Sequence, residues 1–481
     1  MGLRNKVIAG VAWTFAERFS AQLVSFVVSI ILARLIAPDA FGVIALVLVF
    51  INILDTFAVA GFGTALIQKK NADSLDFSTV FYFSIFFSVF LYFCLFITAP
   101  LIAKFYNQSL VEIVIKVLGI RVFFAGVNSV QRAYVSRQMQ FKRFFYSTFA
   151  GTLISAAIGI SLATLGYGIW ALVAQYLSNA VFGTAVLFLI IDWRPKLEFS
   201  FTRLKSLFSF GWKILGSNLL STIYVELTDL VIGKLYTPAS LAYYNRGKKF
   251  PHLFVSQIMS AIDTVLFPAM SKHQDDRVKL KWDIRYSIRV TTFIIFPLVF
   301  CMAMVAENLI IVLLTDKWIE SVIYLQIACI SYALLPISIS NIQAIKALGR
   351  SDIYLKLDII KKIIGVTLLF AFCKQGVIAI VIADAISNFV GLFVNVFPNK
   401  KLVNYSLKEL FVDIYPAALL TIVMCIFIRV VDFIVLPPVI ALLLQIAVGG
   451  GVYVLSSYIS KNKTFFDIVS IAKSFAHRKN E

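Results

Sequence analysis

Runs of about twenty predominantly apolar residues recur along almost all of this 481-residue chain, separated by short polar connections. A run of that length and character is what a helix needs to cross the hydrocarbon core of a bilayer. Candidate spans lie near 11–36, 42–66, 78–103, 113–135, 144–165 and 168–191, and then near 207–235, 250–271, 286–314, 320–345, 357–373, 377–397, 410–430 and 434–459. With 60% hydrophobic and 14% charged residues, water is not the main solvent of such a chain, and it reads as an all-α polytopic membrane protein of about fourteen transmembrane helices. Many of its 45 Phe and 19 Tyr sit at the ends of the runs, where amphipathic rings suit the membrane boundary. The basic, then apolar N-terminus is interrupted by Glu17, Arg18 and Gln22 with no cleavage signal after it, and reads as a retained first helix.

A polar stretch, DWRPKLEFSFTRLK at 192–205, breaks the series after the sixth run. It divides the chain into an N-terminal lobe over 1–195 (spans one to six), a second lobe over 196–400 (spans seven to twelve), two further spans within 401–460 and a basic tail over 461–481. The net charge of +19 would suggest nucleic acid in a soluble protein, but here Lys and Arg fill the short connections, which is a topology signal. Fourteen spans put both termini on one side, and the basic connections make that side cytoplasmic. Basic residues of the tail and the stretch KHQDDRVKLKWDIRYSIR at 272–289 suit the inner membrane surface, the latter as an amphipathic surface helix. The halves echo each other at an offset of roughly 200 residues: RLIAP at 34–38 meets KLYTP at 234–238, and Gln131 meets Gln343. This predicts a parallel repeat, with the last two spans outside it.

Longer segments carry a resemblance. GVAWTFAERFSAQLVSFVVSIILARLIAPDAFGVIAL (10–46), GFGTALIQKK (61–70), GYGIWALVAQ, LVIGKLYTPASLAYYNRGKKFPHL and VLFPAMSKHQDD resemble the Wzx-type polysaccharide-transporter flippases of the MOP superfamily, especially the colanic-acid exporter group. The likeness thins after about residue 400. It implies two six-helix lobes around a central cavity plus two C-terminal helices. It also implies translocation of an undecaprenyl-diphosphate-linked oligosaccharide across a bacterial inner membrane by alternating access, with polymerases and glycosyltransferases as further partners.

Charges inside apolar spans are costly and mark cavities, ion paths or partners. Arg18 faces either a substrate cavity or an acidic partner such as Asp55, and Arg121 and Asp384 are single charges of the same kind. Arg34 and its repeat mate Lys234 either snorkel to headgroups or line the substrate path. Arg246, Lys248 and Lys249 cluster on the outer side, ahead of a span beginning at 250, and either bind diphosphate or acidic sugar or anchor to headgroups; His252 beside them reads as a boundary residue. Glu226 and Asp229 share a helix face and, with Asp384, are candidates for coupling to H⁺ or Na⁺, or for pairing with Arg18, Arg121 or Lys213.

No enzyme, cofactor or metal centre is expected. The five cysteines form no CxxC pair, the three histidines no HExxH, no GxSxG elbow occurs, and Gly449–Gly451 lacks the GK[ST] of a phosphate loop. The rivals are a multidrug antiporter of the same superfamily, a membrane glycosyltransferase or polymerase, and a non-transporting component of polysaccharide assembly. An acidic cavity would favour the first; the short outer connections argue against the second.

Overall fold

The apolar runs fold into helices whose ends are set by local chemistry. A computed structural model of the chain describes residues 3–59 and 61–478, with side chains at 3–12, 14–19, 210, 261, 265, 471, 472 and 474–478 outside the description. The helices, in chain order, are α1 (Leu3–Leu35), α2 (Pro38–Val59), α3 (Phe62–Gln68), α4 (Ser74–Tyr106), α5 (Ser109–Leu118), α6 (Arg121–Arg137), α7 (Lys142–Thr164), α8 (Ile169–Ile190) and α9 (Phe201–Leu235). They continue as α10 (Pro238–Lys272), α11 (Arg277–Met304), α12 (Ala306–Leu314), α13 (Ser321–Ala333), α14 (Leu335–Ala347), α15 (Ser351–Phe372), α16 (Val377–Leu402), α17 (Leu407–Val431), α18 (Pro438–Ile459) and α19 (Lys463–Arg478). No strand occurs among the described residues.

Among the described residues, ten stretches are long and apolar enough to cross a membrane. The other four predicted spans are also helical: the described side chains of α1 leave a shorter apolar stretch, Ser20–Leu35, α5 and α6 are each short, and α9 and α15 are more polar, with Lys213, Glu226, Asp229 and Lys234 interrupting α9 and Lys356, Asp358, Lys361 and Lys362 interrupting α15. Spans of this kind turn a polar face to protein or water instead of lipid. Among the described residues four predicted spans are broken in two, at Gly61 between α2 and α3, at Gly119–Ile120, at Val305 and at Leu334 ahead of Pro336. The chain is therefore an all-α, multi-span membrane protein.

The first of the two sequence echoes recurs in the backbone. α1 ends at Leu35 and α2 starts at Pro38; α9 ends at Leu235 and α10 starts at Pro238. Each proline opens a helix after a two-residue break, where its missing N–H costs nothing and its fixed φ suits the first turn.

By its contacts the chain forms two units, Met1–Ala242 and Tyr243–Glu481. In the first, α9 runs antiparallel against α2 and α3. Near one end α2 meets the first residue of α10, where a Cβ on Gly42 would lie 1.8 Å from the Pro238 carbonyl oxygen; near the other, Gly61 (φ 82°) abuts Gly211 of α9. The 192–205 linker is pinned along α4. The amides of Lys196 and Ser200 donate to Ser78 Oγ (3.0 Å) and Thr79 Oγ1 (3.1 Å), Trp193 is buried among Phe77, Phe81 and Tyr134, and Arg203 pairs with Asp73 and the fully buried Asp76. Asp73 caps α4, and the Asp76 amide it accepts from, with Arg203 and Lys69 nearby, holds its carboxyl below the usual range.

In the second unit α11 packs against α13, α14 and α17. The predicted surface helix at 272–289 is corrected here: Lys272 ends α10, Asp276 caps α11, and the rest is the first half of α11. Its amphipathic pattern is real, but the polar face meets α17. Lys281, Arg285 and Arg289 recur every four residues; Lys281 pairs with Glu409 at 2.7 Å, while Arg285 and Arg289 close on Asp413 at 2.9 and 2.5 Å, with Tyr405 Oη donating to the same carboxylate at 3.1 Å.

Two stability outcomes follow. Gly42→Ala forces a methyl into the Pro238 backbone and is expected to cost about 1–3 kcal/mol, seen as a lower thermal midpoint in detergent. Asp413→Asn removes the charge on which two guanidinium groups close; because Arg289 is 43% exposed and Arg285 keeps Glu409 at 3.7 Å, the loss is expected near the lower end of, or below, the about 3–5 kcal/mol typical of a broken buried pair, measured the same way.

Candidate functional site

Two patches of polar side chains lie within helices that cross the membrane, one in each unit. In the first unit, α2 presents Asn52, Asp55 and Thr56, spaced to share one face, and α9 presents Thr222, Glu226 and Asp229 likewise. Asn52 Nδ2 donates to Glu226 Oε1 at 3.0 Å, the Thr56 and Thr222 hydroxyls meet at 3.1 Å, and Arg121, the first residue of α6, pairs with Asp55 at 3.2 Å. The pairing of Asp55 considered for Arg18 is thus made by Arg121; the Arg18 side chain lies outside the described residues. Asp229 is half-buried on α9 one turn from Glu226. Arg34 is exposed at the end of α1. Lys234 is exposed too, but tied down: its ammonium donates to the Phe105 carbonyl and stacks over the Phe105 ring at 4.1 Å.

The second patch lies on α10, and here the sequence reading of a cluster ahead of its span is corrected. α10 begins at Pro238, so Arg246 to Lys249 lie about two to three turns inside a continuous helix, roughly 12–16 Å from its start. Charge lowers local hydropathy and hides the true start, which Pro238 sets. The close seating of α10 on α13 depends on Gly247, whose Cβ would lie 2.7 Å from the Leu325 amide and Ser321 carbonyl.

That seating separates the three cations. Arg246 is buried, 6% exposed, with its guanidinium 5.0 Å over the Trp318 ring. Lys248 donates to Tyr244 Oη at 3.1 Å and interacts electrostatically with His252, Tyr332 of α13 and Asp384 of α16. Lys249 is exposed. Asp384 accepts from Asn388 one turn on at 3.3 Å, and the His252 ring meets Tyr332 edge-on at 5.9 Å. Deeper along α10, Asp263 accepts from Gln343 of α14 at 3.2 Å. Gln131, the repeat mate of Gln343, is fully buried with no hydrogen-bond partner among the described residues.

The arrangement sets Lys248 within electrostatic reach of Asp384, and in the other unit joins Glu226 to Asn52 and Arg121 to Asp55. Asn52, Thr56, Thr222, Tyr332 and Asn388 were missed by sequence reasoning because an uncharged polar residue in an apolar run gives no signal. Asp263 and Asp413 carried one, being acidic residues inside predicted spans. Among the described residues no group of three or more His, Cys, Asp or Glu side chains is arranged to hold a metal ion.

The helix succession is a known fold. A solved structure of the lipid II flippase MurJ in its inward closed conformation matches 94% of this chain and 99% of its own, with a TM-score of 0.75 at 14% identity. Sequence places the chain more narrowly. Residues 31–323 match the family described as polysaccharide biosynthesis protein, and the chain belongs to that family. Its relatives include the succinoglycan biosynthesis transport protein ExoT of Rhizobium meliloti (strain 1021), 23% identical over 72% of this chain and 70% of that protein. An uncharacterized membrane protein in the cps region of Klebsiella pneumoniae is 25% identical over 96% and 97% of the two chains.

The division among the three cations is testable in detergent-solubilised protein. Arg246→Ala removes a buried side chain and its ring contact and is expected to lower stability by about 1–2 kcal/mol, whereas Lys249→Ala is expected to stay within about 0.5 kcal/mol of wild type in the same thermal unfolding experiment.

Proposed function

We propose that this protein is a flippase that moves an undecaprenyl-diphosphate-linked oligosaccharide repeat unit across the bacterial inner membrane by alternating access, for assembly of a surface polysaccharide. The observation that carries the reading is the position of Lys248 and Lys249 well inside a membrane-crossing helix. Ammonium groups at that depth are expensive unless water or an anionic ligand meets them, and a diphosphate is an anion that a pair of lysines binds well. Membership of the polysaccharide biosynthesis family and the transport role in the name of the Rhizobium relative support the same conclusion.

In this reading Lys248 and Lys249 hold the diphosphate or an acidic sugar, and Arg246 sets the helix that carries them. Arg18, Arg34, Arg121 and Lys234 are secondary candidates along the substrate path. Glu226, Asp229 and Asp384 are the groups through which H⁺ or Na⁺ would drive the cycle. Asp384 has a second use, because it offsets the charge of Lys248 when substrate is absent. Both termini are cytoplasmic, the chemistry is transport rather than catalysis, and the polymerase and glycosyltransferases of the same assembly line are the protein partners.

The test is flipping of a labelled undecaprenyl-diphosphate oligosaccharide in proteoliposomes. Lys248→Gln/Lys249→Gln is expected to slow the initial rate by about tenfold or more, the consequence of losing a hydrogen bond to a charged group worth about 1.5–3 kcal/mol. Lys374→Gln, at an exposed lysine on another helix end, is expected to flip normally. A folded wild type that moves none of several candidate glycan lipids would overturn the reading; normal flipping by the double variant would remove the lysines from it.

A further inference from the structure

The last membrane-crossing helix ends in a rigid elbow. α18 stops at Ile459, Lys461 takes a left-handed conformation (φ 49°), and the Lys461 and Asn462 amides return to the carbonyls of Tyr458 and Ser457, both at 3.1 Å. This is the hydrogen-bond pattern that closes a helix, and Asn462 then starts the next one, its Oδ1 accepting from the Phe465 amide at 3.3 Å. Beyond the elbow, α19 is tied to α11 by the Phe465 ring against Phe293, whose carbonyl accepts from Tyr453 Oη at 2.7 Å, and to α18 by Phe466 against Tyr458. The turn leaves little freedom in where Lys461 and Lys463 stand.

A cavity of about 550 Å³ opens at the elbow, lined by Tyr458, Ile459, Lys461, Lys463, Phe466 and Asp467. Its two halves differ in chemistry. Ile459 is 69% exposed and Phe466 42%, apolar surface that water does not favour. Both lysines are exposed, and no ion pair reaches either among the described residues, so two ammonium groups face one carboxylate. A ligand suited to this cavity is an anion with an apolar extension. The elbow also lies where a membrane span ends, at the depth of lipid headgroups.

We propose that the α18–α19 elbow binds an anionic phospholipid, its phosphate held by Lys461 and Lys463 and the first part of an acyl chain lying against Ile459 and Phe466. The site is independent of the transported glycan and touches none of the residues assigned to it above.

Native mass spectrometry of the full-length protein, titrated with phosphatidylglycerol or with phosphatidylcholine of the same acyl chains, tests the assignment. Lys461→Asn/Lys463→Gln removes both charges while keeping a residue that tolerates the left-handed turn. Wild type is expected to retain phosphatidylglycerol over phosphatidylcholine, and the double variant to bind phosphatidylglycerol about thirtyfold more weakly with phosphatidylcholine unchanged. The variant Lys400→Gln/Lys401→Gln makes the same charge change at the end of α16 and is expected to behave as wild type. Equal retention of the two lipids by wild type, or equal losses from the two double variants, would mean diffuse attraction without a site and overturn the proposal. Displacement of the lipid by inorganic phosphate at equal concentration would identify a free-anion site and overturn it too.

Discussion

A charge placed in hydrocarbon must be met by an opposite charge, a hydrogen-bond donor or acceptor, an aromatic face or water, and the interior of this protein is arranged around that demand. Asp413 is wholly buried because two arginines and a tyrosine converge on it. Asp55 takes Arg121, Asp76 takes Lys69 and Arg203, and Arg246 takes the face of Trp318. On α10, Lys248 donates to Tyr244 within electrostatic reach of Asp384, and Lys249 beside it is exposed. The same physics that stabilises the helices thus gives each of these neighbouring charges its own surroundings.

Fold class was legible in the sequence because it follows from run length alone: about twenty apolar residues can be satisfied by a membrane-crossing helix whatever their identities. The repeat was legible for a different reason. RLIAP and KLYTP each place a proline two residues after a helix end, and the backbone has little choice about what to do there. Misreadings arose where one pattern has two physical solutions. A polar stripe every fourth residue from Lys281 to Arg289 fits a membrane surface as well as it fits the carboxylates of α17, and only the tertiary structure decides. Hydropathy likewise placed the start of a span after Lys249, since it weighs charge and is blind to the capping geometry at Pro238. The sequence offered Arg246, Lys248 and Lys249 as one basic cluster; their separate environments depend on which helix lies against each, which no local pattern contains. Neutral partners such as Asn52 and Tyr332 are silent for the same reason.

The family to which the chain belongs is defined over residues 31–323, and both polar patches draw most of their residues from that stretch. Asp384 and Asn388 lie beyond it, as do α17, α18 and α19, which join the second unit through α11, α12 and α16. The membrane-boundary elbow therefore belongs to the part of the chain that lies beyond the matched stretch of the family.

The contact of α2 with α9 and with the start of α10 has a mechanical meaning. At Gly42 against Pro238, the first residue of α10, and at Gly61, just beyond α2, against Gly211 of α9, the segments touch backbone to backbone, with polar side chains of α2 and α9 interlocked between. A slide of one helical turn, about 5.4 Å, would carry Pro38 or Leu46 into the place that only a glycine now fits. Shear along this seam is blocked, so the two helices travel as one stiff member or else part sideways, and any cycle of opening and closing has to find its hinges elsewhere in the chain.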